Sequence, residues 1–463
     1  MSQKIVVIGN GPAGMSVASA ARLHDRKAEI TVIDSKTYDT YHPCAMPFVI
    51  GGYLPSIDSI VEDLNFSRMK INLIGNSLVE EVKTKEQKVL VKNLITKEKQ
   101  TYDYDKIVFC TGSHVFIPPI KGKDLANVYS LKFAEDAKAI KDAIHANNVN
   151  DVVIVGGSAI GIEVASEIAH LGKNVTIVEM QPQLMPFKVS KRFAKKIYES
   201  LAETGVSIKT NMLVKEIIGE KQATQVKYGN DEKEEVIDAQ VVVLATGVRP
   251  NIELAKKAGL EIHDRLKAIM VNDKMETNIE NIFAAGDCVT VKHQITGERC
   301  LALYAGPAVR QGRVAGINAA GGSATYPGTI NSFIVSSRTF FVGGAGINDE
   351  QADNHNIEVE KAMISADLQP HYMPNSKEIT LKLIADSDDG KILGIEAVGP
   401  RKVDVNVNYT AFALQTGLTV YDLMDIDFCY APAVSETIYP IVKAASAIIR
   451  KIERKKARAK RKK

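Results

Sequence analysis

Three features of the sequence can do chemistry: two glycine-rich turns and one isolated thiol. Gly9, Gly11 and Gly14 follow a β-branched run at residues 5–8, and Asp34 ends the next apolar run. In a G-x-G-x-x-G turn of this kind, Gly9 permits the tight turn and Gly11 lets the backbone approach a pyrophosphate. Gly14 lets the following helix pack closely on the strand. The start of that helix offers free N–H groups and a positive dipole end to phosphates. Asp34 is placed to accept hydrogen bonds from ribose hydroxyls. An ordinary turn is the competing reading, and the strand, glycines, helix and acid standing in register argue against it.

Residues 151–179 repeat the design. Gly156 and Gly161 take the outer positions, Ser158 the middle one, and Glu179 ends the second apolar run. A carboxylate there favours a free 2′-hydroxyl over a 2′-phosphate, and Met180 and Gln181 supply no cation for a phosphate. NADH is therefore expected over NADPH. Glu163, on the helix after Gly161, faces either the nicotinamide or solvent.

Cys44 follows the first repeat, flanked by Pro43 and Pro47. A thiol acts as a nucleophile in its thiolate form. One cysteine suffices for disulfide chemistry if the second sulfur comes from outside, as a mixed disulfide or persulfide. His42 is a candidate to stabilise the thiolate, against the reading that it is a polar loop residue. The competing reading of Cys44 is a buried, inert thiol. Cys110 and Cys288 lie in strand or turn segments and are expected to be structural. The five cysteines form no CxxC or Cys/His cluster, so no metal site is expected.

These residues need elements to hold them. Each repeat reads strand, glycine turn, helix, strand, the βαβ unit of a doubly wound sheet. Residues 104–113 and 239–251 are apolar strands running into Thr-Gly turns, and a strand near 282–285 meets Gly-Asp-Cys at 286–288. After Gly322 the pattern changes to alternating strands joined by Gly/Asp turns, which implies an antiparallel sheet. Helices are expected near 405–417 and 436–450.

A chain of 463 residues is long enough for about three domains. No apolar run approaches the roughly 18–20 residues needed to span a bilayer. The N-terminus reads as a strand rather than a secretory signal, so a cytoplasmic location is expected. The net charge of +3 divides unevenly. Residues 450–463 hold ten Lys/Arg and one Glu, or +9, which leaves −6 for the rest. That tail is expected to be a disordered, solvated end with weak anion contacts and no specific nucleic-acid partner.

The motif order GNGPAG, CTGS, GGSAIG, ATGVRPN, AAGD resembles the pyridine nucleotide–disulfide oxidoreductase family over nearly the whole chain. The resemblance implies an α/β fold: two doubly wound dinucleotide-binding (Rossmann-like) domains plus a C-terminal α+β dimerisation domain. The layout expected is an FAD-binding domain in two pieces, 1–118 and 250–328, with an NAD(H)-binding domain inserted at 119–249. The dimerisation domain follows at 329–449, then the basic tail at 450–463. FAD is expected at Gly9, Gly11, Pro12, Ala13, Gly14 and Asp34, and at Thr111, Gly112, Asp287 and Ala305. Asp287 matches the aspartate that bonds the ribityl chain. NAD(P)H is expected at Gly156, Ser158, Ile160, Gly161, Glu163 and Glu179, with Thr246 and Gly247.

The segment YHPCAMPFVIGG resembles the one-cysteine branch of that family. Val49 stands where two-cysteine members carry their second thiol, and Ala431 where they carry a histidine. The resemblance implies an NADH-dependent reductase of a disulfide, persulfide or polysulfide, a small-molecule thiol substrate with coenzyme A as the candidate carrier. The alternatives are an NADH oxidase or peroxidase cycling Cys44 through a sulfenic acid, and a flavoprotein that passes electrons to a protein partner. Pro12 replaces the histidine typical of the oxidases and peroxidases. Tyr430 is expected to reach the active site of the second subunit of a homodimer. Arg22 is a candidate contact for a coenzyme A phosphate, against a surface role.

Overall fold

The computed structural model describes residues 2–36, 38, 40–146 and 148–462. The first glycine turn sits in a five-stranded parallel sheet with the strand order Ile282–Ala284, Lys106–Phe109, Lys4–Ile8, Glu29–Ile33, Ile71–Ile74. Its strands are apolar on both faces because helices or loops cover both sides. Helix α1, Pro12–His24, starts at the glycine turn. Pro12 lies in its first turn, where a missing N–H costs no helical bond. After the second strand the chain passes a 3₁₀ turn, Pro43–Ala45, and then the short helix α2, Met46–Ile50.

The second unit repeats this order: Val128–Ser130, Val241–Leu244, Asp151–Val155, Asn174–Glu179, Ser207–Thr210, again parallel throughout. Helix α3, Ala159–His170, follows its glycine turn. Each unit also carries a three-stranded antiparallel sheet, directly after Ile71–Ile74 in the first and Ser207–Thr210 in the second. The two chain connections between the units, Ser113–Val115 and Val248–Pro250, pair antiparallel.

Helix α4, Ala305–Ala319, packs along α1. Gly312 and Gly316, one turn apart, make this contact close: a Cβ on either would run into the carbonyl oxygen of Ala13 or Val17. The two pieces of the first unit are thereby joined backbone to backbone.

The C-terminal part is a five-stranded antiparallel sheet ordered Phe333–Ser337, Phe340–Gly346, Ile392–Gly399, Glu378–Asp386, Val359–Asp367. Helix Val403–Thr416 and the final helix α5, Pro440–Lys462, share its core. The α/β class and the division into two doubly wound sheets and an α+β unit match the sequence reading. The tail does not. It is helical through position 450 and on to 462, because Ile448 and Ile452 are fully buried one turn apart. Lys455 also bonds Glu358 at 3.0 Å and Ser387 at 2.9 Å. Among the described residues, no helix is long and apolar enough to cross a membrane.

Candidate active site

The two glycine turns are built alike. Gly9 and Gly156 have φ of +101° and +111°, and a Cβ on either would run into the carbonyl oxygen of Cys110 or Ala245. Glycine is required there by backbone conformation and by approach. Gly11 is different: a Cβ there would meet no protein atom within 4 Å. The space beside it is the kind a pyrophosphate would fill. The first turns of α1 and α3 carry no side-chain cap, which leaves their N–H groups available to a phosphate.

The terminal acids hold the turns. Asp34, 7% exposed, accepts the Asn10 N–H at 2.5 Å and the Lys36 N–H at 2.8 Å, and pairs with the Lys36 ammonium at 2.7 Å. Glu179, 5% exposed, accepts the Gly157 N–H at 2.6 Å and the Gln181 N–H at 2.7 Å. Neither carboxylate is an isolated surface acid. Their remaining lone pairs fit ribose hydroxyls at both sites, so the donor sets suit FAD and NADH.

Thr111 and Thr246 use their hydroxyls differently from the expectation that they face cofactor. Thr111 Oγ1 donates to Asn251 O at 2.8 Å, and Thr246 Oγ1 donates to Phe116 O at 2.5 Å. Both hydroxyls lock the paired connections between the units. Gly112 and Gly247, beside them, have φ of +63° and +93° and open space where a Cβ would be.

Cys44 lies in the 3₁₀ turn with exposed surface. Enclosure raises its thiol pKa, the charges of Glu163 and Asp287 raise it further, and its own backbone N–H opposes them. The sulfur therefore rests protonated at neutral pH. Glu163 comes from α3 of the second unit and Asp287 from the first, so carboxylates of both units act on this thiol. Asp287 accepts the Ser113 hydroxyl at 2.8 Å, which in turn accepts from the Lys132 ammonium at 2.9 Å. Burial lowers the Lys132 pKa and the Asp287 charge works against it. Ser113 closes the CTGS motif, where sequence reading gave it no role, and Lys132 has no motif to mark it. The N-terminus of α4 at Ala305 carries no side-chain cap either, and Ile160 at the start of α3 is exposed.

Glu163 accepts the Ser336 N–H at 3.2 Å. Burial pushes its carboxyl up to about 7, against the Ser336 hydrogen bond and with help from Glu167. One turn along α3, Glu167 is 2% exposed and is held by Arg338 from the C-terminal sheet, whose Nη2 also donates to Gly51 O at 3.3 Å, just past α2. Glu163 is thus enclosed against the C-terminal sheet rather than an open solvated acid.

Two assignments are corrected. His42 turns Nε2 to Glu62 at 3.2 Å, both side chains being exposed. It belongs to a surface pair. Arg22 donates to four backbone carbonyls: Met69 and Lys70 at 2.8 Å, Arg26 at 2.9 Å and Asp25 at 3.2 Å. It closes the C-terminal end of α1 and has little left for a coenzyme A phosphate.

Tyr430 is 45% exposed, and its hydroxyl lies 3.3 Å from that of Tyr372, itself 62% exposed. Sequence reading missed Tyr372; its only signal is an aromatic followed by Met-Pro in an otherwise polar loop. Phe412, Met424, Ile426, Val434 and Ile438 are also exposed in this C-terminal part. Cys110 and Cys288 are buried, with thiol pKa values raised by desolvation, as befits structural thiols.

A family model described as pyridine nucleotide-disulphide oxidoreductase matches residues 3–320, and one for its dimerisation domain matches 334–440. An NADH oxidase of Methanocaldococcus jannaschii is 36% identical over 98% of this chain and 100% of its own. A CoA-dependent NAD(P)H sulfur oxidoreductase of Pyrococcus abyssi is 32% identical over 97% of this chain and 98% of its own. The solved structure of an NAD-dependent persulfide reductase from A. fulgidus aligns with a TM-score of 0.92 at 31% identity, covering 97% of this chain and 84% of that one.

Proposed function

The chain belongs to the pyridine nucleotide-disulphide oxidoreductase family, and from that membership we propose that it is an FAD-dependent enzyme that uses NADH to reduce a disulfide, persulfide or polysulfide through Cys44. The observation that carries this reading is an exposed thiol in the turn after the first βαβ unit, on which carboxylates of both dinucleotide units act. FAD, when bound, supplies the two-electron relay between NADH and sulfur.

Cys44 attacks the S–S bond of the substrate, forming Cys44–S–S–R and releasing RSH, which takes the thiol proton. Two electrons from NADH then break the new S–S bond, returning the Cys44 sulfur and releasing the second RSH. The sum is RSSR + NADH + H⁺ giving 2 RSH + NAD⁺. In the second step the paired hydroxyls of Tyr430 and Tyr372 relay the remaining proton, taken up from solvent, to the second departing thiolate. Their exposure, with that of the neighbouring apolar side chains, supports a homodimer in which they complete the second subunit's site. Coenzyme A is the carrier this reading favours, because relatives named for CoA-dependent sulfur reduction align over nearly the full chain. Five free thiols suit a reducing compartment, hence a cytoplasmic location.

The second reading is an NADH oxidase, favoured by the name of the Methanocaldococcus relative. NADH consumption measured under strict anoxia separates the two. Turnover sustained by coenzyme A disulfide or polysulfide is expected; turnover only on readmitting oxygen or peroxide would replace the reductase reading with the oxidase one.

A further inference from the structure

The final helix carries a row of arginines. Arg450, Arg454, Arg458 and Arg461 follow each other at intervals of four, four and three residues, so they share one helix face. That face is opposite the one carrying Ile448 and Ile452, which are fully buried in the core. All four arginines are exposed, and among the described residues none of them makes an ion pair. The lysines behave differently. Lys451 donates to Lys361 O, Lys455 pairs with Glu358 at 3.0 Å, and Lys456 pairs with Glu453 at 3.6 Å and lies over the Tyr421 ring. Lys451 and Lys455 thus fasten the helix to the body, Lys460 stays exposed, and a row of free guanidinium groups about 16 Å long faces outward.

Arginine is the cation suited to bidentate phosphate contact. What surrounds the row narrows the partner. Among the described residues only Ala457 and Lys451 lie beside it on that face, so it lacks the apolar and aromatic anchors on which protein interfaces depend. The apolar face of the helix is occupied by the core, so none is left to enter a lipid surface. Residues 440–463 hold no aromatic side chain on which unpaired bases stack. The row also lies beyond the span that the dimerisation model matches, which stops at 440.

We propose that the arginine row of α5 docks on the phosphate backbone of duplex nucleic acid without reading its sequence. The −6 carried by the rest of the chain limits the contact to this helix. This binding is independent of the redox chemistry at Cys44.

The test is fluorescence anisotropy of FAD-loaded enzyme against two fluorescein-labelled DNA duplexes of unrelated sequence, titrated between low and physiological salt. Equal binding to both is expected. The log–log salt slope should be about −3.6, for four phosphates neutralised. Replacing all four arginines with Gln should weaken binding at least 10-fold and flatten the slope, with helicity by circular dichroism and NADH turnover unchanged. A Lys451→Gln/Lys455→Gln pair should lose less. Absence of binding at low salt, or an unaltered affinity in the arginine variant, would overturn the proposal. So would equal or tighter binding to polyglutamate, to the single strand, or to phosphatidylglycerol vesicles.

Discussion

Arg338 holds Glu167 through two N–H donors on one carboxylate oxygen, Nε at 2.9 Å and Nη2 at 2.8 Å. The pair joins α3 of the second dinucleotide unit to the C-terminal sheet, and the same guanidinium reaches the end of α2, just past Cys44. Arg338→Ala would leave a carboxylate that is 2% exposed without its cation. Removing one partner of a buried pair costs about 3–5 kcal/mol. Urea denaturation should show that loss, whereas Arg338→Met with Glu167→Met should lie near wild type. A single variant as stable as wild type would show that the pair does not hold these elements together.

The α1–α4 contact gives a second prediction. Gly316→Val places a branched side chain against the Val17 carbonyl, and backbone there has no room to retreat. Overpacking of this kind costs about 1–3 kcal/mol, and α1 carries the first glycine turn. The purified variant should retain several-fold less flavin per polypeptide than wild type. Full flavin content would show that the helix spacing does not matter to the site.

Glu179 gives a prediction about nucleotide choice. Its carboxylate bonds Gly157 and Gln181 N–H groups and stands where a ribose would lie. Charge-assisted hydrogen bonds are worth about 1.5–3 kcal/mol, so Glu179→Ala should raise the KM for NADH about 10-fold or more. The preference for NADH over NADPH should narrow at the same time. Unchanged constants for both nucleotides would remove Glu179 from the site.

Two buried groups give opposite pH dependences. Glu163 ionises at about 7 in the folded chain, above the roughly 4.3 of a free glutamate. Between those values the folded state holds the extra proton, so stability from this group is lost as pH rises through 7. Thermal unfolding of Glu163→Gln should gain on wild type from pH 5 to 8. His293, 3% exposed, is lowered to about 4, mainly by burial with help from His355 and Lys188. Here the unfolded state holds the extra proton, so stability is lost as pH falls from about 6.5 through 4. His293→Asn should flatten that acid limb. A difference from wild type that is constant with pH, in either variant, would contradict the assignment.

The parts of the site legible in sequence are local ones. Strand, glycine turn, helix and terminal acid lie within about 30 residues, so Gly9 to Asp34 and Gly156 to Glu179 can be read directly. Arg338 and Glu167 are 171 residues apart, in segments with no distinguishing pattern, and only the fold brings them together. Adjacency misled at His42, because its extended backbone (φ −102°, ψ 90°) precedes the turn that carries Cys44 and its ring reaches Glu62 instead. For Arg22 a local signal was present: it lies in the last turn of α1, where cations meet free carbonyls. In the tail, charge suggested disorder, while the apolar pair Ile448 and Ile452 at helical spacing already indicated an anchored helix.

The proposed role of the Cys44 sulfur is to join the substrate sulfur covalently. Rapid mixing of anaerobic Cys44→Ser enzyme with NADH, followed by coenzyme A disulfide or polysulfide, tests it most directly. Flavin bleaching at the wild-type rate, with no reoxidation by the sulfur substrate, is the predicted result. Reoxidation at the wild-type rate in the variant would contradict it.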